Sequence, residues 1–171
     1  IVIATEGVKT EKKYFSDIST HFKNSRIHVE VLIRDDDSLS SPEHILEELN
    51  KFYSEYGLSD DDELWLVGDR DNWGDEKLNS VTRLATQKGY FLALSNPNFE
   101  LWLLLHIKDL EDYRDEQKKQ FLESRNNILK KEIRLILGEY NPSNLKTDMF
   151  IIGIDNAIER AKKLDPQNGE R

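Results

Sequence analysis

Cysteine is absent from the 171 residues. No disulfide frame, thiolate metal site or cysteine nucleophile can therefore be built, which agrees with a reducing cytoplasm, the expected location. Long apolar runs are missing too. None approaches the ~18 consecutive residues of a membrane-spanning helix, no signal peptide is read at the start, and no membrane partner is expected. A glycine-rich phosphate loop of either common type is lacking, which argues against a simple nucleotide-binding module. Positive charge is scarce. The formal net charge is −9, and all of it lies in residues 1–107, with 11 Lys+Arg against 20 Asp+Glu; residues 108–171 carry 13 of each. A large nucleic-acid footprint usually shows as excess basic charge. Contact with nucleic acid would have to use a local patch, or bound cations that change the local sign.

What is present begins with Leu64–Val67, four apolar residues followed by Gly68, Asp69, Arg70 and Asp71. A short apolar run bounded by turn signals reads as a strand covered on both faces. Ile1–Ala4 reads as an earlier strand, with Glu6-Gly7 at its carboxyl end and Gly7 suited to a tight turn. Thr10 is placed to cap a helix with Glu11 in its first turn and Tyr14, Phe15, Ile18 and Phe22 at helical spacing. Val29, Val31 and Ile33 alternate as a strand. Ser41-Pro42 starts a helix that Gly57 stops; a further helix ends at Gly89, and Tyr90–Leu94 is a fourth strand. The order βαβαβαβ predicts an α/β fold, a three-layer α/β/α parallel sheet of about four strands. Leu101–His106 reads as a buried helix, Lys108–Arg114 as a linker, Asp115–Leu137 as one long helix and Met149–Leu164 as a last one. The division expected is an α/β core over residues 1–107 and a helical extension over 108–171 packed on it, a single domain overall. Ile1 already sits in an apolar run and Asp165–Arg171 is polar, so both ends are expected to be trimmed.

Polar residues gather at predicted strand ends: Glu6 after the first, Asp69 and Asp71 after the third, Asn96 and Glu100 after the fourth. Ligands of open parallel sheets sit outside these carboxyl ends. Asp69 and Asp71, two apart in an extended segment, share a face, and Glu6 joins them if the first and third strands are neighbours. Crowded carboxylates raise one another's pKa and are tolerated when a hard cation neutralises them. Oxygen ligands without His or Cys suit Mg²⁺ or Mn²⁺, ions that stabilise attacking and leaving oxygens and activate water.

The run Glu6-Gly7…Thr10-Glu11…Tyr14-Phe15, the pair Asp69-x-Asp71, and Ser95-Asn96-Pro97-x-Phe99-Glu100-x-Trp102-x-Leu104-Leu105-His106 together resemble three motifs of RloB-like proteins. Ile154–Leu164 resembles that family's last helix. RloB-like proteins are similar to Toprim nucleases, so the resemblance implies a Toprim-like (Rossmann-like) core. It also implies a phosphoryl-transfer site with Glu6, Asp69 and Asp71 as metal ligands and catalytic residues. A nucleic-acid substrate, RNA or DNA, an ATPase partner and a prokaryotic anti-phage or restriction-linked setting are implied with it; a homodimer is compatible. Glu100 is added as a catalytic candidate because it is a carboxylate at a strand end. Lys9 is added because it lies close to the acids, where it either binds a scissile phosphate or neutralises the cluster. The alternative reading is a non-catalytic or partner-dependent subunit that docks with a defence ATPase.

The remaining polar features read as structure. His106 ends a helix, where a cation is favoured by the dipole; His21, His28 and His44 read as surface or packing residues. Asp35–Asp37 and Asp60–Asp62 read as solvated loops, with Asp35 kept as a weak candidate. Lys118-Lys119, Lys130-Lys131-Arg134 and Arg160-Lys162-Lys163 read as solvated helix faces, some of which could guide nucleic acid towards the acids. Phe99, Trp102, Leu104 and Leu105 read as core.

Overall fold

The computed structural model describes residues 1–23, 28–32, 41–59, 61–70, 73–123 and 127–164. Four parallel strands form one sheet: β1 (Val2–Thr5), β2 (Glu30–Val31), β3 (Leu64–Asp69) and β4 (Phe91–Ser95), in the order β2-β1-β3-β4. The first and third strands are neighbours, in the register Val2↔Leu64 to Thr5↔Val67. Helices α1 (Thr10–His21), α2 (Pro42–Tyr56) and α3 (Asp75–Lys88) connect the strands, and α4 (Phe99–Ile107) follows the last. The fold is three-layer α/β/α, Rossmann-like. Ile33 and Asp35 lie outside the described residues.

The sheet's two faces are treated differently. Val2, Ala4, Leu64 and Leu66 point to one side, where Ile45, Leu46 and Leu49 of α2 and Val81 and Ala85 of α3 close over them. The caps foreseen for α2 hold. Ser41 Oγ accepts from the His44 N–H, and the left-handed Gly57 ends the helix, as Gly89 ends α3. On the other side α1 packs towards β2 and α4 towards the end of β4.

The second core lies beyond the sheet. Almost every side chain of α4 is buried, as an all-round apolar helix demands. Around it pack α5 (Asp115–Glu123), α6 (Ile128–Leu137), α7 (Asp148–Ile151) and α8 (Ile154–Leu164), with Tyr14 of α1 joining the same cluster. Residues 108–114 are not a linker. They make a 3₁₀ turn at Leu110–Asp112 and bury Leu110 and Tyr113 in this core. The single long helix expected over Asp115–Leu137 is two helices, and the one expected over Met149–Leu164 breaks at Ile152-Gly153. At Gly153 the backbone meets α4 so closely that a Cβ would stand 2.1 Å from the His106 carbonyl oxygen. The chain turns there because only glycine allows the approach.

Candidate active site

The pairing of β1 with β3 brings Glu6 to Asp69 across 63 residues of sequence. The Glu6 N–H donates to the Val67 carbonyl at 2.8 Å, extending the ladder by one step. The Asp69 N–H then donates to Glu6 Oε2, also at 2.8 Å. This charge-assisted bond fixes the Glu6 carboxylate at the junction of the two strands. Glu6 is 8% exposed.

Two further carboxyls lie beside it. Glu11, from the first turn of α1, is buried, and its carboxyl presses against Gly7. A Cβ on residue 7 would stand 1.8 Å from Glu11 Oε2, so glycine here makes room for an acid as well as a turn. Burial pushes the Glu11 carboxyl up to about 7; the Glu100 and Glu6 charges add to the rise, while a bond from its own backbone N–H and the Lys130 charge oppose it. Glu100, in the first turn of α4, is also buried. Its Oε1 accepts from the Tyr140 hydroxyl at 3.1 Å and lies 3.3 Å from Lys130 Nζ. Burial raises Tyr140 above its ordinary value, with Glu100, Glu11 and Asp69 pushing the same way. Glu6, Glu11, Asp69 and Glu100 thus form one electrostatically connected corner at the carboxyl ends of β1 and β3, backed by a lysine and a tyrosine from the C-terminal helices.

The expected residues are met unevenly. The Asp69 backbone meets the Glu6 carboxylate, and the Glu6 and Glu100 charges both bear on Glu11. Asp71 lies outside the described residues. Lys9 stands at the N-cap of α1, and Lys130, expected on a solvated helix face, is seated on Glu100. Thr10 does not cap α1; its hydroxyl donates to the Pro142 carbonyl at 2.9 Å and ties the C-terminal region to the helix. Glu11 and Tyr140 were missed as site residues. The signal for Glu11 was Gly7, since a small residue one helical turn away from an acid leaves room for it to fold inward.

His106 is structural. Trp102 Nε1 donates to the Tyr14 oxygen at 3.0 Å, so the Tyr14 hydroxyl is left to donate to His106 Nε2 at 2.8 Å. His106 Nδ1 then carries the proton and donates to the Trp102 carbonyl at 2.8 Å. Burial holds the imidazole down to about 4, so it is neutral, with no charge to offer the helix dipole.

The donor chemistry of the acidic corner, carboxylate oxygens only, fits a hard divalent cation. Among the described residues no three His, Cys, Asp or Glu side chains stand in an arrangement that could hold a metal ion. No helix among the described residues is long and apolar enough to cross a membrane. No curated protein and no solved structure matches the chain. The family model described as RloB-like protein matches residues 1–171, the whole chain, and the chain belongs to the RloB-like family.

Proposed function

We propose that this chain is a Mg²⁺- or Mn²⁺-dependent nuclease, or a closely related phosphoryl-transfer enzyme, acting on nucleic acid. The carrying observation is the bond from the Asp69 backbone N–H to Glu6 Oε2, which holds the Glu6 carboxylate at the end of β3 within a corner that also holds Glu11 and Glu100. Burying several carboxyls together is costly unless something positive is bound there. Glu6 and Asp69, with Asp71, would hold the cation; when bound, it neutralises a phosphodiester and makes a water more acidic. The chain's own contribution is positional. Glu6 is fixed by the β3 backbone, so its carboxylate keeps one direction. Lys130, its side chain 41% exposed, holds Glu100 and can reach a phosphate from the rim. Hydrolysis would form a bond from a water oxygen to phosphorus and break the P–O ester bond, with the departing oxygen taking a proton. The family resemblance supports an effector role in prokaryotic anti-phage or restriction-linked defence.

The test is cleavage of labelled RNA, single-stranded DNA and plasmid with Mn²⁺ or Mg²⁺. The wild type is expected to cut at least one. Glu6→Gln and Asp69→Asn should fall at least about 100-fold, the scale of losing one group that stabilises transition-state charge, with melting temperatures at or above wild type. Wild-type rates in both variants would remove the proposal.

A second reading has its own observation. Glu6 Oε2 and Glu100 Oε1 are already engaged by protein groups, which suits a site completed only with a partner, such as a defence ATPase. Cleavage that appears only when the partner is added would select it.

A further inference from the structure

The chain has three tryptophans, and one of them breaks the rule the other two follow. Trp65 Nε1 donates to Glu63 Oε2 at 2.9 Å, and Trp102 Nε1 donates to the Tyr14 oxygen at 3.0 Å. Trp73 Nε1 is buried and meets no acceptor among the described residues. The residue is 5% exposed, so bulk solvent does not serve the N–H either. Buried polar atoms are hydrogen-bonded in the great majority of cases, and each exception calls for an explanation. A purely apolar ring would pack here without the cost of an unmade bond.

The place of the ring supplies the explanation. Trp73 stands between β3 and α3, at the carboxyl end of the sheet, where its backbone N–H donates to the Arg70 carbonyl at 3.1 Å. Its ring reaches back over Gly68, the residue before Asp69. A Cβ on residue 68 would stand 2.5 Å from Trp73 Cζ2 and 3.1 Å from Glu6 Oε2. Glycine leaves the space in which the indole and the Glu6 carboxylate become neighbours. Cζ2 is separated from Nε1 by a single ring atom and lies on the same edge of the indole. The edge that carries the N–H is therefore the one turned towards the acidic corner.

The corner thus combines two opposite demands. Carboxylates accept hydrogen bonds and attract cations, whereas an indole N–H only donates and cannot ligate a cation. The donors Tyr140 and Lys130 already serve Glu100. A bound cation alone would leave Trp73 unsatisfied. A cation that carries a negatively charged oxygen would answer both demands, and a bond from N–H to such an oxygen is among the stronger ones. We infer that Trp73 Nε1 is a ligand-binding donor that holds an anionic phosphate oxygen beside the strand-end acids. The inference rests on the phosphoryl-transfer reading for the cation and names the residue that orients the phosphate against it. The donor is set on a packed ring rather than a flexible stem, which suits orientation.

The experiment follows the three indole N–H signals of the isotope-labelled full chain by NMR. Trp73→Phe assigns the Trp73 signal by its loss; should that variant not fold, contacts between the ring protons and the Gly68 Hα assign it instead. With Mg²⁺ present, inorganic phosphate or a thymidine dinucleotide should move the Trp73 signal downfield to a plateau. The Trp65 and Trp102 signals, whose donors are already engaged, should stay in place. The probe that saturates at lower concentration shows whether the phosphate belongs to a nucleic-acid linkage or is a free one. Mg²⁺ alone, and the neutral methylphosphonate analogue of the dinucleotide, should leave the signal where it is. Trp73→Phe should bind the tighter probe at least about tenfold more weakly, the scale of one hydrogen bond to a charged group. Saturable Mn²⁺ binding by the wild type with no movement of the Trp73 signal by either probe overturns the inference and leaves the catalytic reading intact. Equal movement with the methylphosphonate or with Mg²⁺ alone, or an unchanged affinity in Trp73→Phe, also overturns it. Movement by a phosphate probe without cleavage of any nucleic acid would sink the catalytic reading and leave a phosphate-binding site.

Discussion

Two buried polar clusters sit on the same pair of helices, and they are built on opposite rules. The Tyr14–Trp102–His106 cluster, between α1 and α4, is neutral and closed. Each named donor meets an acceptor in a ring of bonds between 2.8 and 3.0 Å, and edge-on contacts with Phe99 and Phe150 surround it. The Glu6–Glu11–Asp69–Glu100 corner, one turn towards the strand ends, gathers charges of one sign. Burial pushes Glu11 up and holds His106 down, yet only the acids stay in mutual conflict. A satisfied network rigidifies a core; strongly perturbed, mutually repelling carboxyls mark a candidate site.

Substitutions can break this comparison, and the largest effect belongs to the acids' function. Glu6→Gln should abolish cleavage by at least about 100-fold while the protein melts no lower than wild type; a large drop in melting temperature with activity retained would reverse the assignment. The next effect belongs to the neutral cluster. His106→Ala removes a packed ring and strands the Tyr14 hydroxyl, so it should destabilise by about 3 kcal/mol, read by urea unfolding, and leave metal binding intact.

pH sharpens the contrast. His106, shifted from 6.5 to about 4, contributes stability that is complete above 6.5 and is lost as pH falls towards 4. Glu11, shifted from 4.5 to about 7, contributes stability that is complete below 4.5 and is lost as pH rises towards 7. Each is worth on the order of 3 kcal/mol across its window. Between 4.5 and 6.5 the two slopes oppose each other. Relative to wild type, Glu11→Gln should gain stability as pH rises from 4.5 to 7, and His106→Phe should gain it as pH falls from 6.5 to 4. Thermal melts at half-unit pH steps check both signs. The smallest effect is Lys130→Met, about 1 kcal/mol of destabilisation at neutral pH, because the lysine is partly solvated.

The sequence told much about the sheet and less about what surrounds the site. The apolar runs at Val2–Ala4 and Leu64–Val67 and the stops at Gly57 and Gly89 made β1, β3, α2 and α3 readable, and the carboxyl ends of β1 and β3 singled out Glu6 and Asp69. Lys130 and Tyr140 were not readable. They reach Glu100 from 30 and 40 residues downstream through tertiary packing that no local period encodes. The breaks in the C-terminal helices were missed for related reasons. Gly153 marks a contact with the α4 backbone, and Asn127, a weak helix former, stands at the start of α6 without a side-chain capping bond. Leu110 and Tyr113 lie in a segment whose charged neighbours hid two core residues.

The central claim is that the strand-end acids gather around a divalent cation. Titration of Mn²⁺ into wild type and Glu6→Gln, followed by the electron paramagnetic resonance of free Mn²⁺, tests it without any substrate. The account predicts saturable binding by the wild type and at least a tenfold loss of affinity in Glu6→Gln at equal melting temperature. Equal Mn²⁺ uptake by both proteins, or none by either, would contradict it.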